Sequence, residues 1–237
     1  MLLAPVAAQD EPPANLVKQV AEKESENAAE RDHYTYRQSV VVEELDKRGT
    51  RDGIYREVRD VIFLQSGERS EKFIEGPVNY LHRLRLTPED FRDIREVQPF
   101  LFTKDLLWLY ATKFRGSETV EGIDCWVLDV APRQTFEGMR QFEGTLWVDK
   151  KTLNTVRTFG RAVPEILNSK TENLFPQFAT VRRPVDGTHW FPVQTLADDV
   201  LPFRTGPLHM RMTIHYENYR RFGAESSITF EEPGAKP

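Results

Sequence analysis

The chain has 237 residues, of which 39% are hydrophobic and 29% charged, with a formal net charge of −5. That length can enclose a sizeable core, and the mild, interspersed acidity excludes the concentrated basic patch that nucleic-acid binding requires. No apolar run reaches the roughly 18 residues of a membrane-spanning helix, and the single cysteine, Cys125, excludes an intrachain disulfide.

Taken in order, Met1 to Ala8 reads as the end of a secretory signal. The apolar stretch is short and closes on Val6-Ala7-Ala8, small residues of the kind signal peptidase accepts. The basic segment that should precede it is missing, which implies a start codon placed too far downstream; the plainer reading is a mildly apolar leader. No cysteine follows the cleavage point, so a soluble product is expected rather than one acylated at its own N-terminus.

Asn15 then precedes Leu16, Val17, Val20 and Ala21 at helical spacing, predicting a helix over about 15–31 with a thin apolar stripe. At Tyr34 the period changes to two. Tyr34, Tyr36, Val40 and Val42 share one face, and turns at 48–53 and 66–69 make a three-stranded meander. Thr87-Pro88-Glu89-Asp90 starts a second helix, with Thr87 as cap and Pro88 at the first helical position. Phe91, Ile94 and Val97 follow at helical spacing, Pro99 stops them, and an apolar Phe100-Leu101-Phe102 loop comes next.

Strand character is expected to resume near Leu107, with Trp108, Tyr110, Thr112 and Phe114 on one face. Cys125 sits beside Trp126-Val127-Leu128 in the next strand, where the apolar flank favours a small buried thiol over one that is reactive or pairs with another chain. A strand–turn–strand unit spans 141–161, and strands at 175–183 and 189–200 are joined by Pro184-Val185-Asp186-Gly187. From 208 to 219 the alternation is clearest: Leu208, Met210, Met212, Ile214 and Tyr216 on one face, His209, Arg211, Thr213, His215 and Glu217 on the other. Ser227 to Glu231 is expected to form a last strand, and 232–237 a disordered tail.

The fold class is therefore mainly β: one curved antiparallel sheet of about eleven strands over 15–231, an unclosed half-barrel. The N-terminal helix and the short helical insertion are expected to cover its concave face. Residues 1–14 form the signal remnant and leader.

Four features carry a resemblance to a known family. They are the helix running into Tyr34–Glu44, the segment Gly116-Ser117-Glu118-Thr119-Val120-Glu121-Gly122-Ile123-Asp124-Cys125-Trp126, the run Gly144-Thr145-Leu146-Trp147-Val148-Asp149, and the uninterrupted strands that follow. Together they resemble the LolA/LolB-like outer-membrane lipoprotein carriers, as a divergent member. The resemblance implies an unclosed barrel with helices across its mouth, an apolar cavity for acyl chains, and a periplasmic location. It also implies an arginine that binds the lid, which the sequence alone does not assign.

The function expected is an exported, non-enzymatic carrier or sensor that holds a lipid or lipoprotein acyl chain. The alternative is an envelope protein-interaction module using the concave face or the edge strands. Tyr34, Tyr36, Trp108, Tyr110, Met210, Met212, Ile214 and Tyr216 are the candidate lining, since thioethers and phenols suit an adaptable apolar pocket. A solid core would use the same residues. Phe91, Ile94, Phe100 and Phe102 are the candidate lid.

No catalytic residue, metal site or cofactor is assigned. Glycine-loop, nucleophile-elbow and zinc-helix signatures are lacking, and His209 and His215, six apart on one strand, are some 20 Å from each other. Asp198-Asp199 reads as solvated surface. Arg182-Arg183 and Arg220-Arg221 read either as holders of an anionic head group at the rim or as strand-end surface charge.

Overall fold

The computed structural model describes residues 11–64, 68–136, 138–165 and 176–222. Helix α1 (Leu16–Arg31) leads into β1 (Tyr34–Leu45), β2 (Arg51–Phe63) and β3 (Arg69–Asn79). The insertion follows, with α2 (Pro88–Arg92), a π-helical turn (Asp93–Val97) and a 3-10 turn (Lys104–Leu106). The chain continues through β4 (Tyr110–Val120), β5 (Ile123–Pro132), β6 (Gln141–Asp149), β7 (Thr155–Val163), β8 (Phe178–Pro184), β9 (Trp190–Leu201) and β10 (Leu208–Arg221).

Among the described residues, ten strands form one antiparallel sheet in the order β3-β2-β1-β10-β9-β8-β7-β6-β5-β4. Every neighbour is consecutive in sequence except the β1–β10 pair, which joins the opening meander to the rest. β3 and β4 are edges, so the sheet is not closed into a barrel. It curls nonetheless, because Tyr55 and Val61 of β2 share one buried cluster with Tyr110 of β4 and Leu128 of β5. A sheet this wide curls to bury one face against a common filling. The strand expected at Ser227–Glu231 lies outside the described residues, as does the segment Met1 to Ala8.

Local chemistry explains the elements. Thr87 and Asp90 form a reciprocal capping box at the start of α2, with Pro88 in its first turn. Glu121 and Gly122 take positive φ, 55° and 78°, between β4 and β5, the backbone of a tight hairpin that keeps the strand twist. In β6 and β7, Gly144 faces Gly160 across the ladder. A Cβ on Gly144 would meet the Phe159 carbonyl at 2.2 Å and the Phe142 ring at 2.7 Å. The paired glycines thus let Phe142 lie flat across two strands, where it stacks on Phe100 of the insertion at 4.8 Å.

Cys125 is fully buried, and burial together with the nearby Asp149 carboxylate pushes its thiol up to about 11. The thiol form therefore dominates at neutral pH. In the native protein Cys125 should resist a thiol-specific chromogenic reagent at pH 8 and react fully once unfolded in urea. Rapid native labelling would place it at the surface instead.

Candidate functional site

β10 buries Leu208, Met210, Met212, Ile214 and Tyr216 and turns Arg211, His215 and Glu217 outward, with His209 half-buried on the same outer side. Val40 and Val42 on β1 and Tyr55 and Val61 on β2 continue this inner face. Tyr36, Tyr110, Met210, Met212, Ile214 and Tyr216 all belong to the one large apolar cluster. Tyr34 is buried outside that cluster, edge-on to Phe191 at 5.1 Å, with its hydroxyl donating to Asp186 Oδ2 at 2.6 Å. Burial and that carboxylate push the Tyr34 phenol up to about 12.

Trp108 does not line the inner face and is 67% exposed. Its expected place in a strand is corrected by the backbone: 107–109 form turns that follow the 3-10 helix, and β4 begins only at Tyr110. The alternation that suggested a strand is too short there to resist the turn. Two other aromatics take part that the sequence did not single out. Phe191 and Tyr219 pack as tilted rings at 5.4 Å, and Tyr219 stacks on Tyr36 at 5.1 Å. Tyr219 reaches inward because Asn218 adopts a φ of 58°, which breaks the alternation along β10.

Over the inner face sit α1 and the insertion. Leu16, Val20 and Ala21 of α1 are buried, and the buried stripe continues through the polar Glu24 and Asn27. Ile94, Phe100 and Phe102 are buried against the sheet, and Phe91 packs half-buried against Tyr55 at 5.8 Å. The four residues named as a lid therefore lie in this roof.

Polar contacts fasten the roof to the sheet. Arg182 of β8, fully buried, donates to Glu24 Oε2 of α1 at 2.7 Å and to the Phe100 carbonyl of the insertion. One guanidinium thus joins sheet, helix and insertion. This corrects both readings of Arg182, since it sits neither at a rim nor on the surface. The strand parity it shares with Phe178 and Thr180 turns it inward. Its neighbour Arg183, on the opposite face, pairs with Glu121 at 2.5 Å, and Arg221 pairs with Glu30 at 2.6 Å.

Asn27 Nδ2 donates to Asn154 Oδ1 at 2.8 Å, at the turn between β6 and β7. The Thr180 hydroxyl donates to the Gln98 carbonyl at 2.8 Å and bonds the Thr195 hydroxyl at 2.8 Å, which in turn contacts the Tyr216 hydroxyl at 3.2 Å. Arg140 grips Asp93 through two nitrogens, at 2.9 and 2.7 Å. Burial outweighs that pairing and holds the Asp93 carboxyl above the usual range. Glu44 accepts from the backbone N–H groups of His82, Arg83 and Leu84, fixing where the insertion leaves the sheet.

The seam is incompletely satisfied. Glu24 Oε1, Gln98 Oε1 and Arg182 Nε are buried and, among the described residues, have no hydrogen-bond partner. Each such group costs on the order of 1–3 kcal/mol relative to its hydrated state. Apolar burial draws the roof down, while its polar underside reduces the gain from keeping it there. Elsewhere some charged groups form surface pairs: Asp198 accepts from Arg211 at 3.0 Å and also bonds His209, while His189 Nδ1 lies 2.7 Å from Asp186.

No protein-family model and no curated protein matches the sequence. Among solved structures, the chain is similar to a DUF1329 family protein from Desulfovibrio piger, at 17% identity and a TM-score of 0.44, covering 91% of this chain and 96% of that one. It is also similar to a domain described as an outer membrane lipoprotein-sorting protein from Vibrio parahaemolyticus, at 11% identity and a TM-score of 0.40, covering 89% and 95%. A LolA superfamily protein from Nitrosomonas europaea is similar at 11% identity and a TM-score of 0.37, covering 86% and 95%. These are similarities of chain path, and the fold assignment stands on the strand order given above.

Proposed function

We propose that this protein is an exported, non-enzymatic carrier or sensor that holds a lipid or lipoprotein acyl chain against the apolar inner face of the half-barrel when the roof moves. The observation that carries this reading is the roof itself. Two separate elements cover one continuous apolar face and are fastened to it by a few polar contacts, several of whose atoms lack partners among the described residues. The LolA/LolB-like resemblance of the sequence supports the same reading, and Arg182 supplies an arginine that reaches the cover. A periplasmic location is part of the same proposal and is supported by that resemblance. No helix among the described residues is long and apolar enough to cross a membrane.

Native mass spectrometry after gentle purification tests the proposal, and co-purified acyl lipid is the expected result. A fluorescent fatty-acid analogue should bind, and an engineered disulfide tethering the insertion to the sheet should slow its exchange at least tenfold. Unchanged exchange would reject the roof as a lid. Saturable turnover of an ester, abolished by one His or Asp substitution, would reject the carrier class.

A second reading has its own observation. β3 is an edge strand whose Phe73 and Ile74 are 52% and 45% exposed, a surface on which an extended segment of an envelope partner could add a strand. Lys72, Glu75 and Pro77 lie on the same edge and are the usual guards against pairing. A defined protein partner, in place of lipid, in the native mass spectrum would favour this reading.

A further inference from the structure

Two open grooves run between the insertion and the β2–β3 hairpin, and they meet at Arg95 of the π-helical turn. The first, about 650 Å³, is lined by Arg31, Phe63, Arg69, Glu71, Arg95 and Glu96. The second, about 450 Å³, is largely apolar, with Tyr55, Phe73, Pro77, Pro88 and Phe91 in its walls. Both volumes lie within the ~300–1,000 Å³ of ordinary ligand sites.

The charges in these grooves are unevenly matched. Arg69 donates to Glu71 at 2.7 Å and to the Tyr36 hydroxyl at 3.0 Å, and Arg59 binds both Glu57 and Glu71. Glu57 and Glu71, the hairpin carboxylates that line the grooves, are therefore already engaged by Arg59 and Arg69. Arg31, at the end of α1, lies over the Phe63 ring at 5.5 Å, and its buried Nε has no partner among the described residues. Arg95 likewise forms no ion pair among them. Against these two stands Glu96, which is exposed at the mouth. In a chain of net charge −5, this leaves a local excess of positive charge beside an apolar trough.

We infer that the two grooves are one site for a single-chain amphiphile with an anionic head. A carboxylate or phosphate head would lie between the Arg31 and Arg95 guanidiniums, and the acyl tail along Tyr55, Phe73 and Phe91. Arginine presents a planar fork of donors suited to both head groups. The inference rests on the lipid-binding reading and makes it specific, placing the head and the first part of the tail outside the roofed interior, at its edge. A head group held there would explain how a chain is gripped before the roof opens.

The experiment compares a fluorescent polyene fatty acid with its methyl ester, on the wild-type chain, on Arg31→Gln/Arg95→Gln, and on Phe73→Ser. The wild type should bind the acid at least tenfold more tightly than the ester, with an advantage that shrinks as salt rises. The double arginine variant should lose that advantage while keeping the ester affinity. Phe73→Ser, at an exposed position, should weaken acid and ester alike. Acetate and inorganic phosphate at millimolar concentration should not compete, since neither has a tail. Competition by either alone would overturn the inference in favour of a simple anion site. Equal wild-type affinity for acid and ester, or an advantage that survives the double variant, would overturn it and leave the carrier reading standing. Failure of both probes to bind would overturn the two together. Circular dichroism on each variant confirms that the fold is retained.

Discussion

Arg182→Ala should destabilise the protein by about 3–5 kcal/mol, because it leaves the Glu24 carboxylate buried without its counter-ion and the Phe100 carbonyl without its donor. Both side chains of the pair are completely shielded from solvent, so water cannot screen or replace the lost partner. The double substitution Glu24→Leu/Arg182→Met removes both charges and should recover stability to within about 1 kcal/mol of the wild type, or exceed it. Urea unfolding of the three variants measures this, with unchanged slopes marking a loss of stability rather than a change in compactness. A loss below 1 kcal/mol for Arg182→Ala would show that the site is wet and the contact weak. The pair also has a kinetic consequence. If it fastens a moving roof, the double variant should exchange a bound fatty-acid analogue several-fold faster, even though its equilibrium stability is restored.

Met212→Arg should prevent stable folding, while His215→Arg three residues along the same strand should change stability by no more than ~0.5 kcal/mol. Met212 is fully buried, with its sulfur 3.6 Å from Gln98 Nε2 under the roof. A guanidinium there takes the place of a fully buried thioether, and its effective desolvation cost is several kcal/mol, comparable to the whole stability of a domain. His215 lies on the outer face and is exposed. The contrast depends on strand register, since a slip of one residue would exchange the two outcomes. Thermal melts and expression yields of the two variants are enough to decide it.

Most of the architecture is legible in the sequence because strand patterning is local. The period-two run from Leu208 to Tyr216 states which side chains are inward before any partner strand is known, and the structure buries those residues. The Thr87-Pro88 start of α2 and the hairpin around Asp149 to Asn154 are equally local, since a cap or turn needs only its own few residues. Where the pattern is short, local reading fails. Trp108 alternates with its neighbours over too few residues to hold a strand, and the chain turns there instead.

What the sequence cannot contain is the identity of partners far away along it. Arg182 beside Arg183 looks like surface charge, and Glu24 in a charged helix looks like solvated surface. They become a buried pair only because folding brings together residues 158 positions apart. The same holds for Gln98 over Thr180 and for Asn27 against Asn154, polar residues that no hydrophobicity pattern marks as buried. The groove at Arg31 and Arg95 is also a product of tertiary structure, since the two come from separate elements and, among the described residues, are left without ion pairs because Arg59 and Arg69 have taken the nearby carboxylates. Alternation along a strand encodes its two faces through geometry intrinsic to the backbone. The pairing of charges across elements depends on three-dimensional proximity and on competition among several partners, and neither is written into a local stretch of chain.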